Sequence, residues 1–84
     1  SLTTFDNVNA LKGNVFQYNY TIKAEKLNLD TAEVIKIAIE GLLELLKKNP
    51  KAIYFKQNNV EIQASYFDKN GTHICTAVVL PKEY

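Results

Sequence analysis

The sequence predicts a small α+β domain, a four-stranded antiparallel sheet in the order β-β-α-β-β with one long helix packed on one face. Three features predict it. Residues 30–48 carry the one long apolar pattern with helical period. Residues 15–23 alternate apolar and polar side chains, and residues 60–80 hold two apolar runs separated by Asp68-Lys69-Asn70-Gly71. A helix pattern between two strand patterns on each side gives two packed layers around one core. At 84 residues the chain is a single domain, 1–84, near the size at which one core is just sufficient.

Residues 1–12 are ambiguous. Leu2, Phe5, Val8 and Leu11 recur every three residues, which suits one helical face, but Thr3, Thr4, Asn7 and Asn9 are poor helix-interior residues. Gly13-Asn14 is a turn signal, and it favours a first strand hairpinned to the next. In residues 15–23, Phe16, Tyr18, Tyr20 and Ile22 alternate with Gln17, Asn19, Thr21 and Lys23. That is the half-exposed antiparallel pattern.

Asp30 and Glu33 form a capping-box variant at the helix start, where Asp30 can accept the orphan amide of Glu33. Lys47 and Lys48 complement the dipole at the far end, and Asn49-Pro50 stops the helix. At 100° per residue, Val34, Ile35, Ala38, Ile39, Leu42, Leu43, Leu45 and Leu46 share an arc of roughly 200°, wider than the ~100° stripe a surface helix needs. A second cover is expected, from the N-terminal segment or another subunit. Ala38 and Gly41 near the arc's edge are expected to admit something bulky, such as the Tyr18/Tyr20 row. Residues 50–56 read as a short helical turn capped by Asn49, with Ile53, Tyr54 and Phe55 closing one end of the core.

The last hairpin allows two registers. A two-residue Asn70-Gly71 loop pairs Tyr66 with Cys75. A three-residue loop with Gly71 left-handed pairs Tyr66 with Ile74, Ala64 with Thr76 and Ile62 with Val78. The second gathers more apolar side chains on one face and is preferred. The helix-free face then carries Phe67, His73, Cys75, Ala77 and Val79, a candidate partner-binding face. Pro81 ends the strand, and residues 82–84 read as a tail.

Composition narrows the function. Ten Lys without any Arg give a net charge of +1 and no basic stripe, which counts against a nucleic-acid reader. No apolar run is long enough to span a bilayer. A single Cys and a single His exclude a disulfide framework and a two-His metal site. His73 and Cys75, on one side of one strand and about 7 Å apart by strand rise, are too distant for a thiolate–imidazole pair. Phosphate-loop, nucleophile-elbow and zinc-protease strings do not occur. Asn19-Tyr20-Thr21 and Asn70-Gly71-Thr72 are formal glycosylation sequons. No catalytic, cofactor-binding or metal residue is assigned. The chain opens on Ser1 and contains no Met, which fits either removal of a tag or leader or a mature product after signal cleavage.

Tyr18-Asn19-Tyr20, a helix ending in Asn49-Pro50, and Tyr66-Phe67-Asp68-Lys69-Asn70-Gly71 together resemble a loose set of small exported bacterial proteins of uncharacterised function. The resemblance implies a periplasmic or secreted, non-enzymatic protein. Members often carry one cysteine near the helix end and another at the C-terminus. Here Lys47-Lys48 and Tyr84 stand there, and no disulfide carries over. The functional expectation is an interaction module, such as an inhibitor, an immunity or exclusion factor or an assembly accessory, with a protein partner and possible self-association. The alternative is a small-ligand or enzymatic domain with a pocket between helix and sheet near Tyr18, Tyr20 and Tyr54.

Overall fold

The computed structural model describes residues 2–84. Strands β1 (Thr3–Leu11) and β2 (Val15–Ile22) form an N-terminal hairpin. Helices α1 (Thr31–Lys48) and α2 (Ala52–Gln57) follow, then β3 (Glu61–Phe67) and β4 (His73–Val79). The four strands form one sheet in the order β1-β2-β3-β4, and α1 lies on one face over β3 and β4.

The sheet is mixed, not antiparallel throughout. β1–β2 and β3–β4 are antiparallel, whereas β2 and β3 run parallel. The cause is the connection. An 18-residue α1 rises about 27 Å and carries the chain back along the sheet before β3 begins, so β3 starts at the same end as β2. At that end the Glu61 amide donates to the Asn14 carbonyl at 2.8 Å.

The helix begins as its sequence indicates. Asp30 is extended, and its Oδ1 accepts the Glu33 amide at 3.3 Å. Ala38, Leu42 and Leu46 are buried against Val60, Ile62, Ala64, Ala77 and Val79. The small side chains Ala64 and Ala77 face each other across β3 and β4, which leaves room for the leucines of α1. A second cluster, Ile22, Ile74 and Cys75, lies with Leu29, Val34 and Ile35 near the start of α1.

The hairpin register corrects the preferred expectation. The loop is the three-residue one, with Gly71 at φ 82° and the Asp68 amide donating to the Thr72 carbonyl at 2.8 Å. Phe67 pairs with His73, but Tyr66 pairs with Cys75, so Ile74 is an extra residue in β4. This bulge sends Ile74 and Cys75 to the same side, into the core, and moves every later residue of β4 by one. Ile74 and Cys75 are both buried where strict alternation would bury one of them.

The C-terminus is a clasp and not a tail. After a 3-10 turn at Pro81–Glu83, the Tyr84 hydroxyl donates to the Val60 carbonyl at 2.5 Å, and Glu83 Oε1 accepts the Leu80 amide at 2.9 Å. Of the three α2 side chains expected to close the core, only Phe55 does so, edge-on to Phe16 at 5.2 Å. Ile53 and Tyr54 are exposed.

Candidate interaction surface

The sheet has two faces of opposite character. On the face away from α1 the side chains are mostly neutral, polar and paired with each other. Gln17 donates to Gln63 at 2.9 Å, Asn19 to Asn7 at 2.9 Å and Thr21 to Asp6 at 2.6 Å. The hydroxyls of Ser65 and Thr76 are 2.8 Å apart, and His73 Nε2 lies 2.9 Å from Thr76 Oγ1. Such a layer satisfies itself and offers little apolar surface.

The candidate partner-binding residues divide between the two faces. Phe67 and His73 lie at one end of the polar face, with rings edge-on at 5.4 Å. Cys75, Ala77 and Val79 are buried beneath α1, because the Ile74 bulge places them on the core side. They form no open patch with Phe67 and His73. Burial also pushes the Cys75 thiol above its ordinary pKa, which keeps it protonated at neutral pH. His73 and Cys75, expected on one side of the strand, are on opposite sides.

Exposed apolar side chains occur on both faces, Leu11 and Val78 on the polar one, and several lie on the helix side. Because α1 sits over β3 and β4, the same face of β1 is left open, while Phe16, Tyr18 and Tyr20 of β2 are half-buried against the edge of the core. Phe5 rests on Tyr18 and Tyr20, at centroid distances of 6.1 and 5.5 Å, which fixes its side of the sheet. Val8 pairs with Tyr18 and Ala10 with Phe16, so both share that side. Every residue of β1 is exposed. Phe5 keeps 52% of its surface and Val8 47%, while on α1 Ile37 keeps 59% and Leu45 43%.

Between this shelf and α1 runs an open depression of about 260 Å³, lined by Tyr20, Ala38, Gly41, Leu42, Leu45 and Tyr66. Tyr20 and Tyr66 stack at 5.0 Å with 13° between their planes. Burial, with the neighbouring Tyr20 adding to it, pushes the Tyr66 hydroxyl up to about 12. Tyr20 is likewise raised, by burial first and then by Tyr18. Both phenols are therefore neutral at physiological pH. Gly41 admits nothing: a Cβ built there meets no atom within 4 Å. The expected close approach of a tyrosine to Gly41 is absent, and among the described residues nothing covers the Leu45 side of the helix arc. The N-terminal segment, one of the two candidates for that cover, is the edge strand β1 instead.

Sequence reasoning missed this surface for an identifiable reason. The triplet spacing of Phe5 and Val8 looked helical because a bulge at Asp6 lets two side chains three apart share one face of a strand. A polar crevice among Glu25, Lys26, Asp68, Asn70 and Thr72 is less promising. Its one buried carboxylate, Asp68, already accepts the amides of Asn70 at 2.8 Å, Thr72 at 2.9 Å and Lys26 at 3.1 Å. Among the described residues, no three of His, Cys, Asp and Glu cluster as a metal site, and no helix is long and apolar enough to cross a membrane. Comparison with protein-family models, curated proteins and solved structures gave no match to this chain, so its own surface is the basis for a functional reading.

Proposed function

We propose that the protein is a non-enzymatic interaction module that binds a protein partner through the open helix-side surface of β1 and the neighbouring flank of α1. One observation carries this reading. Phe5 and Val8 of β1 stay exposed on the helix side of the sheet, and Ile37 and Leu45 of α1 are exposed as well. Apolar area of this kind, rimmed by polar groups, lowers its free energy by burial against a second surface. An inhibitor, an immunity or exclusion factor and an assembly accessory all work by such binding without turnover. The export implied by the sequence resemblance would set the compartment where the partner is met.

A position-resolved cross-linking experiment tests it. A photo-reactive side chain is placed at Val8 or Leu45 on the shelf, or at Val78 on the polar face, in the full chain within its native host. The expected result is one adduct from the first two positions, absent from Val78, whose partner then forms a stoichiometric complex with the purified protein. Equal adducts from all three positions, or none from the shelf, would remove the proposal.

A second reading has a specific observation behind it. The apolar depression is lined by Tyr20 and Tyr66, whose phenols suit a small ligand with one polar end. Tyr54, expected beside such a pocket, does not line it. A small ligand would protect the depression and leave Phe5 and Val8 reactive, whereas a protein partner covers both.

A further inference from the structure

We infer that the crevice between the end of α1, α2 and the C-terminal turn is a binding site for a small anion carried on a short aliphatic chain, a medium-chain carboxylate in its simplest form. The crevice encloses about 220 Å³ and is lined by Leu46, Lys47, Ala52, Ile53, Lys56 and Tyr84. That is smaller than the ~300–1,000 Å³ of a drug-sized ligand site, so it suits one short, flexible chain. It shares no residue with the β1 surface or with the depression beside Tyr20, and it does not depend on the functional reading above.

The apolar walls are held in place by the fold. Leu46 is buried in the core, and Ala52 and Tyr84 pack against that core. The Tyr84 hydroxyl donates to the Val60 carbonyl, so what the residue offers a ligand is its ring. Asn49 fixes α2 against the end of α1, its carbonyl accepting the Ala52 amide at 3.0 Å and its side chain the Lys51 amide at 2.9 Å. Ile53 is 58% exposed, and an aliphatic chain seated in the crevice would take part of that surface out of water.

Charge decides the head group. Residues 45–60 carry four lysines and no Asp or Glu. The acids next along the chain are engaged elsewhere: Glu44 pairs with Lys48 at 2.9 Å, Glu61 accepts from Gln63 at 2.6 Å and Glu83 accepts the Leu80 amide. Among the described residues, the ion pairs are Lys48–Glu44 and Lys69–Glu25, so no carboxylate lies within ion-pair reach of Lys47 or Lys56. Both stand in the last turn of a helix, where the dipole supplies at most roughly half a negative charge, and the rim stays net positive. A lysine lays its methylene stem along apolar surface and keeps its ammonium in water. Two such residues around an apolar crevice complement an aliphatic chain that ends in an anion, and they oppose a cationic one.

The test titrates the full chain with octanoate, octanol, octyltrimethylammonium and acetate, all as monomers in solution, and follows backbone amide shifts by NMR. The expected result is saturable binding of octanoate, with shifts centred on Ala52, Ile53, Lys56 and Tyr84. Octanol should bind about threefold or more weakly, and octyltrimethylammonium and acetate should not saturate. Lys47→Gln with Lys56→Gln should lower octanoate affinity to that of octanol, and Ile53→Asp should abolish it. All three positions are exposed, and thermal melts verify each variant; the comparison of octanoate with octanol tests the charge on the unaltered chain. Equal affinity for octanoate, octanol and the cation would overturn the proposal, as would shifts scattered over the molecule or indifferent to Ile53→Asp. A parallel arm sediments the protein with phosphatidylglycerol and with phosphatidylcholine vesicles. Binding to the anionic vesicles without saturable octanoate binding would overturn the pocket in favour of a membrane-docking face.

Discussion

Asp68 does at the residue scale what the sequence could only outline. Its place before Lys69-Asn70-Gly71 marks a turn, and the fold gives its carboxylate three backbone amides, from Thr72, Asn70 and Lys26. Those amides, with Thr72 foremost, hold the Asp68 carboxyl below its ordinary pKa. A group depressed in the folded state contributes stability above its unfolded pKa, near 3.8, and that stability is lost as pH falls through the lower folded value. Wild-type protein should therefore lose melting temperature from roughly pH 4 downward. Asp68→Asn keeps one acceptor oxygen but turns an NH₂ group toward the Lys26 amide. It should melt lower at pH 7 and show a shallower acid limb, and a pH series of thermal melts reads both. The turn was legible from residue types. The Lys26 contact was not, because it joins positions 42 apart in the chain.

α1 is the element whose sequence and structure agree best, from the Asp30 cap to the Glu44–Lys48 pair. Gly41 is its one weak position. The structure gives it neither a close neighbour nor a positive φ, so its cost to the helix is uncompensated within the chain. Gly41→Ala should stabilise the isolated protein by about 0.5–1 kcal/mol, read from the urea midpoint at constant m-value. A loss of stability would show that the backbone at Gly41 has a packing role inside the chain. β1 and β4 were read less well for one shared reason. Each holds a bulge, at Asp6 and at Ile74, and a single extra residue reverses the alternation from which faces are assigned.

At the scale of the whole molecule, α1 lies over β3 and β4, β2 is half-buried at the edge of the core and β1 is exposed. The stabilising contacts accordingly lie under α1, and the shelf contributes little to the folded state. Ile62→Ala, at a side chain 1% exposed, should cost about 2–5 kcal/mol in denaturant unfolding. Val8→Lys, on the exposed strand, should stay within about 0.5 kcal/mol of wild type. A large loss from Val8→Lys would mean that the shelf is part of the core of the free protein. Surface that contributes so little to folding yet remains apolar is what an interaction module requires.

The sequence by itself determined the elements: the helix and its cap, the alternating strand β2, the Gly71 turn and a single domain. Local rules set each of these, because helix period, capping chemistry and left-handed turn residues act within a few positions. Only the tertiary structure decided that β2 and β3 run parallel, that Cys75, Ala77 and Val79 go inside, and that Phe5 and Val8 stay out. The first follows from the helical crossover, a property of the whole connection 23–60. The others follow from where α1 comes to rest. The helix lies over β3 and β4, where the small side chains of Ala64 and Ala77 leave room for it, and β1 falls beyond its reach.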